Sequence, residues 1–502
     1  LVTFRHGVAS ADPLPDGVLL WTRCTTREPG PVPVDWWLGP TEDPGAATAR
    51  GSAEAAAGAD FTVQVDVRGL APATSYWYGF TAGGAVSPVG RTRTAPAPGP
   101  APGPAPPGPA PDGPEGGLRL GLTSCANWPC GFFNAYANLA ARDLDLIVHV
   151  GDYIYENDSA SHRRRAVRAH RPPGVLVALD DYRARYAQYR SDPDLQALHA
   201  RHPVVAVWDD HELAGGAWRD GATAHFPRAH GRWDRRRDAA VQAHMEWVPT
   251  RARAPRSVYR TLRLGPLGDL VLLDARLAGR DRPVSDARGP AARVACRDRA
   301  MLGEDQWRWL DGELKASKAR WLLLANQVMM APLRAVDVAG GLGVNPSQWD
   351  GYPAERDRLY ALLRRRGRAS NVAVLSGDLH SSWASDLPVG AEFVAPSVTT
   401  DSFADSVLPR VPGASSLARR ILLWQNGHVR LADLDRHGYV VVDVTAGALQ
   451  ADWWHVDTVA RRDRAERWGG GWRLVDGEVG LRRAEAPASL SPAPPGPSPR
   501  RP

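Results

Sequence analysis

At 502 residues the chain is too long for one simple hydrophobic core and points to two or three domains. Its 43% hydrophobic and 23% charged residues are ordinary for a globular protein and exclude disorder outside compositionally biased segments. The net charge of +6 does not call for a nucleic-acid partner. Lysine occurs only at Lys315 and Lys318, and Arg, Ala, Gly and Pro are abundant together, as a GC-rich genome would produce. No specific nucleic-acid recognition is therefore expected. No stretch approaches the ~20 apolar residues of a transmembrane segment, so a soluble chain is expected. It opens at Leu1, which suits a processed precursor whose leader is out of view.

The first segment, 1–93, reads as all β. Val32, Val34 and Trp36 alternate, as do Phe61, Val63, Val65 and Val67, the period of half-buried strands. Gly69 to Phe80 then reads as a turn and a strand with a corner tyrosine, similar to a fibronectin type III sandwich. Residues 94–117 are nearly pure Pro, Ala and Gly and predict an extended linker. A similar bias over 485–502 predicts a disordered tail, which leaves 118–484 as the large domain.

Within that block apolar strands alternate with amphipathic helices. Strands are predicted at 118–123, 144–150, 204–208, 270–273, 321–325, 372–375 and 439–444. Trp307, Leu310 and Leu314 share one helix face, and Leu359, Leu362 and Leu363 mark another helix that Gly367 should stop. The expectation is a layered α/β domain with a mostly buried sheet.

Polar residues appear where these strands stop. Cys125 follows the first, Asp152 and Tyr155 the second, Asp210 and His211 the third, and Asp378 with His380 a later one. Sites in α/β sheets form beyond the carboxyl ends of strands, so these loops can converge. Burying several carboxylates together is costly unless cations neutralise them, which favours a polynuclear metal centre. The four cysteines, Cys24, Cys125, Cys130 and Cys296, are too few for a disulfide scaffold and too irregular for a zinc ribbon. A Cys130–Cys296 pair in an oxidising compartment stays open.

The chain resembles alkaline phosphatases of the PhoD type, within the calcineurin-like metallophosphoesterases. The resemblance is carried by Gly7 to Pro13 with Leu20-Trp21-Thr22-Arg23, Ser124-Cys125, Gly151-Asp152-Tyr153-Ile154-Tyr155-Glu156 and Tyr189-Arg190-Ser191-Asp192-Pro193. It continues through Trp208-Asp209-Asp210-His211-Glu212, Asn326-Gln327-Val328-Met329 and Ser376-Gly377-Asp378-Leu379-His380-Ser381-Ser382-Trp383. The resemblance implies a secreted or cell-envelope enzyme: an N-terminal β-sandwich, then a four-layer αββα metallophosphoesterase domain binding Fe3+ and Ca2+, with other divalent metals open. By position, Cys125, Asp152, Tyr155 and His380 would hold iron, with Asp152 bridging to calcium and Asp210 and Asp378 on the calcium side. Thiolate and phenolate suit ferric iron, whereas calcium takes oxygens. His211 and Asp210 are the expected catalytic residues, acting on a phosphate mono- or diester through a metal-activated water.

The chain departs from the family at Gly215-Gly216, where paired asparagines are usual. Glycine cannot supply a side-chain oxygen, so calcium would be held more weakly, by water, or by another loop. His149 reads as a packed or supporting histidine. Arg183, Arg185 and Arg190, with Tyr182, Tyr186 and Tyr189, read as a packing or surface face from which one Arg could reach a phosphate. Two alternatives stand beside the general phosphatase: a diesterase specialised for phospholipid, nucleic-acid or cell-wall polymer, and a surface-binding protein with a vestigial metal site. Substrate choice depends on the loops 279–294 and 335–352, and oligomeric state is unread.

Overall fold

The computed structural model describes residues 1–488 except 28–29, 101–116, 159–165, 255, 285–297, 337–341, 344 and 408–410. Cys296, most of the expected linker, the tail beyond Ala488 and parts of both substrate loops thus lie outside the described residues. The N-terminal segment forms two sheets. Val8–Leu14, Gly17–Arg23 and Thr62–Arg68 make one; Ala49–Ala55, Val32–Gly39, Ser75–Ala82 and Ala85–Val86 make the other, and Gly90–Arg93 also pairs with Ser75–Ala82. Val18, Leu20, Val34, Val63, Tyr78 and Phe80 close a core between them. The Tyr76 hydroxyl accepts the Ala71 backbone N–H at 2.9 Å.

The large block is a mixed α/β fold built on two seven-stranded sheets. In the first, Val204–Ala206, Leu146–His149 and Leu118–Thr123 run parallel, and Gly438–Val444, Ala448–Val456, Glu466–Val475 and Arg482–Ala484 extend the sheet antiparallel. In the second, Gly268–Leu272, Trp321–Ala325, Val372–Ser376 and Gly390–Val394 are parallel neighbours. Arg260–Leu264 flanks them on one side, Ser382–Leu387 and Val429–Asp433 on the other, each antiparallel.

Side-chain alternation explains why the second sheet reads as unbroken apolar runs. Leu270, Leu272, Leu323, Ala325, Ala373 and Leu375 face a core shared with Leu120, Leu122 and Val148 of the first sheet. Val271, Leu322, Leu324, Val372 and Val374 face a second core, closed by Trp307, Leu310, Leu314, Leu359, Leu362 and Leu363. The last six lie on the helices Glu304–Ala316 and Pro353–Arg365, and Gly367, at φ +75°, follows the second of these as expected. The run Glu466–Val475 was not predicted, because its three consecutive glycines weaken strand propensity; pairing with Ala448–Val456 overrides that.

One buried ion pair ties the N-terminal segment to the large block. Both Asp12 carboxylate oxygens accept from Arg260, at 2.7 and 2.8 Å, and Arg260 also donates to the Ala206 carbonyl at the end of its strand. Both side chains are nearly inaccessible. Asp12→Ala strands the guanidinium and is expected to cost about 3–5 kcal/mol in chemical denaturation; an unchanged midpoint and slope would show that the pair carries no such role.

Candidate metal centre

The strand ends converge. Donor atoms of Cys125, Asp152 and His380 lie within 4.8 Å of one another, as do those of Asp152, Asp210 and His211, and those of Asp209, Asp210 and Asp378. Tyr155 joins them: its hydroxyl donates to Asp152 Oδ2 at 2.8 Å and lies 3.4 Å from His380 Nε2. All six residues expected to hold metal, and His211, therefore meet at one place.

Local backbone geometry makes this possible. Cys125, Asp152, Asp378 and His380 all have positive φ, between +52° and +63°, a region non-glycine residues seldom adopt. At each, the chain turns sharply off its strand and carries a donor inward. Gly151 has φ +109°, and a Cβ there would stand 2.3 Å from Asp209 Cβ, so only glycine lets the two loops approach. Glu212 then fastens them, accepting the backbone N–H groups of Asp152 at 3.0 Å, Tyr153, and Asp209 at 2.8 Å.

Electrostatics within the cleft are unbalanced. Burial pushes the Asp152 and Asp209 carboxyls well above their usual range; His211 opposes the rise at Asp152 and Arg276 at Asp209, while the neighbouring carboxylates add to it. Burial would raise Asp210 too, but Arg276, His211 and the Gly216 N–H outweigh it and hold that carboxyl low. Arg276 is the main compensating cation: its buried guanidinium donates to Asp209, to Asp378 at 2.7 Å, and approaches Asp210 at 3.4 Å. One guanidinium does not satisfy the set. Asp209 Oδ2 is buried without a hydrogen-bond partner and Asp210 Oδ1 has only the 3.4 Å approach of Arg276, and under-satisfied carboxylate oxygens of this kind fit a bound cation.

The remaining donors are chemically prepared. Burial lowers His380 to about 4, so its imidazole is neutral. Its Nδ1 pairs with the Asp401 carbonyl at 3.0 Å, which leaves Nε2 for the site. Burial and the Asp152 charge push both the Cys125 thiol and the Tyr155 phenol upward, so each would ionise only against a strong cation. His211 behaves oppositely. Burial would lower it, but Glu156, Asp152 and Asp210 prevail and keep it protonated. Its Nδ1 pairs with Glu156 at 2.7 Å and its ring stacks on Tyr155 at 4.2 Å.

Arg276 is the principal residue the sequence reading missed. Its signal was available, because it follows the apolar strand Gly268–Leu272 in the strand-end position of the other site residues. Gln348, which donates to Asp378, and Glu156 as the partner of His211 were also unassigned. At Gly216, φ is +71° and a Cβ would meet Thr223 Oγ1 at 2.5 Å, so this backbone has no room for asparagine. Its N–H donates to Asp210 instead. His149 is a packed residue: Tyr136 meets its Nε2 at 2.8 Å, and burial lowers it to about 3. Arg185 donates to the carbonyls of Tyr155 and Pro172, bracing the site loop from behind. Arg276→Met leaves Asp209 buried without its cation and is expected to cost about 3–5 kcal/mol in denaturant titrations with chelator present. A loss below about 1 kcal/mol would show that the carboxylates are balanced by other means.

Comparison with known proteins agrees with this geometry. Residues 120–453 match the PhoD-like phosphatase profile and residues 2–96 that of the PhoD-like phosphatase N-terminal domain. The chain is 33% identical over 482 residues to alkaline phosphatase D of Bacillus subtilis (strain 168), covering 90% of this chain and 77% of that protein. A solved structure of PhoD superposes with a TM-score of 0.84 at 31% identity, covering 98% of this chain and 94% of that one. With the clustered donors, these matches establish that the chain belongs to the PhoD-like phosphatase family and is a metal-dependent phosphoesterase of the alkaline phosphatase type.

Proposed function

We propose that this phosphoesterase is secreted to the cell envelope or beyond and cleaves phosphate mono- and diesters at a centre of ferric iron and calcium. The observation that carries the metal assignment is the donor set itself. A thiol, a phenol, a carboxylate and a neutral imidazole at Cys125, Tyr155, Asp152 and His380 match the preference of ferric iron. Asp152, Asp210 and Asp378 offer only oxygens, as calcium requires. With Gly216 lacking a side chain, the Gln348 amide beside Asp378 is the neighbouring group able to help position that side.

Cations bound there would polarise the phosphoryl oxygens and lower the pKa of an attacking water. The rest falls to the chain. Glu156 fixes the His211 ring and keeps it charged, so Nε2 can donate to the phosphate or to the departing oxygen. The His211 side chain keeps 23% exposure, which leaves it reachable from solvent. Asp210, held ionised by Arg276, presents a charged oxygen beside it. The surface-binding alternative finds no support in a donor set that converges this fully.

The same reading takes 1–93 as a fibronectin-III-like sandwich, 94–117 as linker, 118–484 as a four-layer αββα catalytic domain and 485–502 as tail. The shared core between the two large sheets, the helices over the outer face of the second, and the Ala71–Tyr76 contact support it. Among the described residues no helix is long and apolar enough to cross a membrane.

Two substitutions separate the roles. Asp152→Asn is expected to abolish iron binding and hydrolysis together, and full turnover in that variant would sink the ligand assignment. His211→Gln should lower turnover by about 10²–10⁴-fold with metal content unchanged; loss of metal would make His211 a ligand rather than a proton donor.

A further inference from the structure

The helix Ala414–Gln425 carries two apolar faces. The inner one is used: Leu422 is buried, and Ala418 and Leu423 pack against the core over the second sheet. Leu417, Ile421 and Trp424, spaced i, i+4 and i+7, lie on the opposite side with 60%, 40% and 83% exposure. Single exposed apolar residues are ordinary, but a continuous stripe ending in an almost fully exposed tryptophan marks a contact surface. Arg420 is exposed beside it, Arg419 is exposed on the far side of the helix, and the helix contains no Asp or Glu. The segment leading to it starts at the metal centre, where Thr400 donates to the Tyr155 hydroxyl and the Asp401 carbonyl fixes His380.

We propose that this outer face docks on an anionic phospholipid surface. A tryptophan and two aliphatic side chains on one stripe, with Arg420 at its edge, match the pattern of helices that lie in the headgroup region. Charge complementarity decides between a lipid surface and a second copy of the chain. Two copies paired through this stripe by a twofold axis would bring Arg420 against its own counterpart, whereas anionic headgroups compensate it. The docking face stands independently of the phosphoesterase chemistry, so hydrolysis of a soluble ester serves as an internal control.

Full-chain protein is sedimented with vesicles containing phosphatidylglycerol and with vesicles of phosphatidylcholine alone, at about 0.15 M salt. Binding to the anionic vesicles is expected, together with a drop of at least about tenfold in affinity for the Leu417→Ser, Trp424→Ala double variant. Hydrolysis of p-nitrophenyl phosphate by that variant should equal that of the unmodified protein. Three results would overturn the proposal: no binding by the unmodified protein, binding undiminished in the double variant, or a dimer in light scattering that Trp424→Ala dissolves. Vesicle binding by a protein inactive on the soluble ester would support the docking face and count against the phosphoesterase assignment alone.

Discussion

Negative charge held out of water is the constraint around which this molecule is organised. Asp152, Asp209, Asp210 and Asp378 crowd one cleft, and the Arg276 guanidinium reaches three of them. A fold that buries carboxylates in this way needs further cations, and the partnerless oxygen of Asp209 with the loosely met one of Asp210 marks where the protein's own groups stop short. The unusual backbone follows from the same demand. Four donors leave three turns at positive φ and aim at a common point, and Glu212 spends its whole carboxylate fastening the Asp152 turn to the Asp209 loop. Burial raises Glu212 to about 8, a cost the three backbone donors reduce but do not remove.

The two sheets supply the rigidity that such strain requires. Cys125, Asp152 and Asp210 follow parallel neighbours of the first sheet, Arg276 and Asp378 follow parallel strands of the second, and one shared core fixes the distance between them. The N-terminal segment contributes from outside the cleft. Asp12 holds Arg260, and Arg260 holds the carbonyl of Ala206, three residues before Asp209, so a contact far from the chemistry stiffens a strand that delivers two of the carboxylates.

Much of the site was legible in the sequence, for a physical reason. A buried parallel strand is an apolar run, and an acid, thiol or imidazole at its carboxyl end stands out against that background; Cys125, Asp152, Asp210, Asp378 and His380 were all found this way. Arg276 obeyed the same rule but was lost in an arginine-rich chain, where one more basic residue carries little information until three carboxylates are seen around it. Strand pairing was the harder part. Ser382–Leu387, with two serines and an aspartate, and the glycine-broken Glu466–Val475 owe their extended form to partners distant in sequence, which local pattern cannot report. The exposed stripe of the helix Ala414–Gln425 was equally hidden, because an amphipathic pattern does not say which apolar face is covered.

Elemental analysis of protein purified without chelator, read with its visible spectrum, decides whether the centre is a mixed cluster with iron on the thiol and phenol side. Iron together with calcium is expected in each chain, with a tyrosinate-to-iron charge-transfer band that colours the protein. A colourless protein carrying zinc or manganese at the same residues would contradict that expectation.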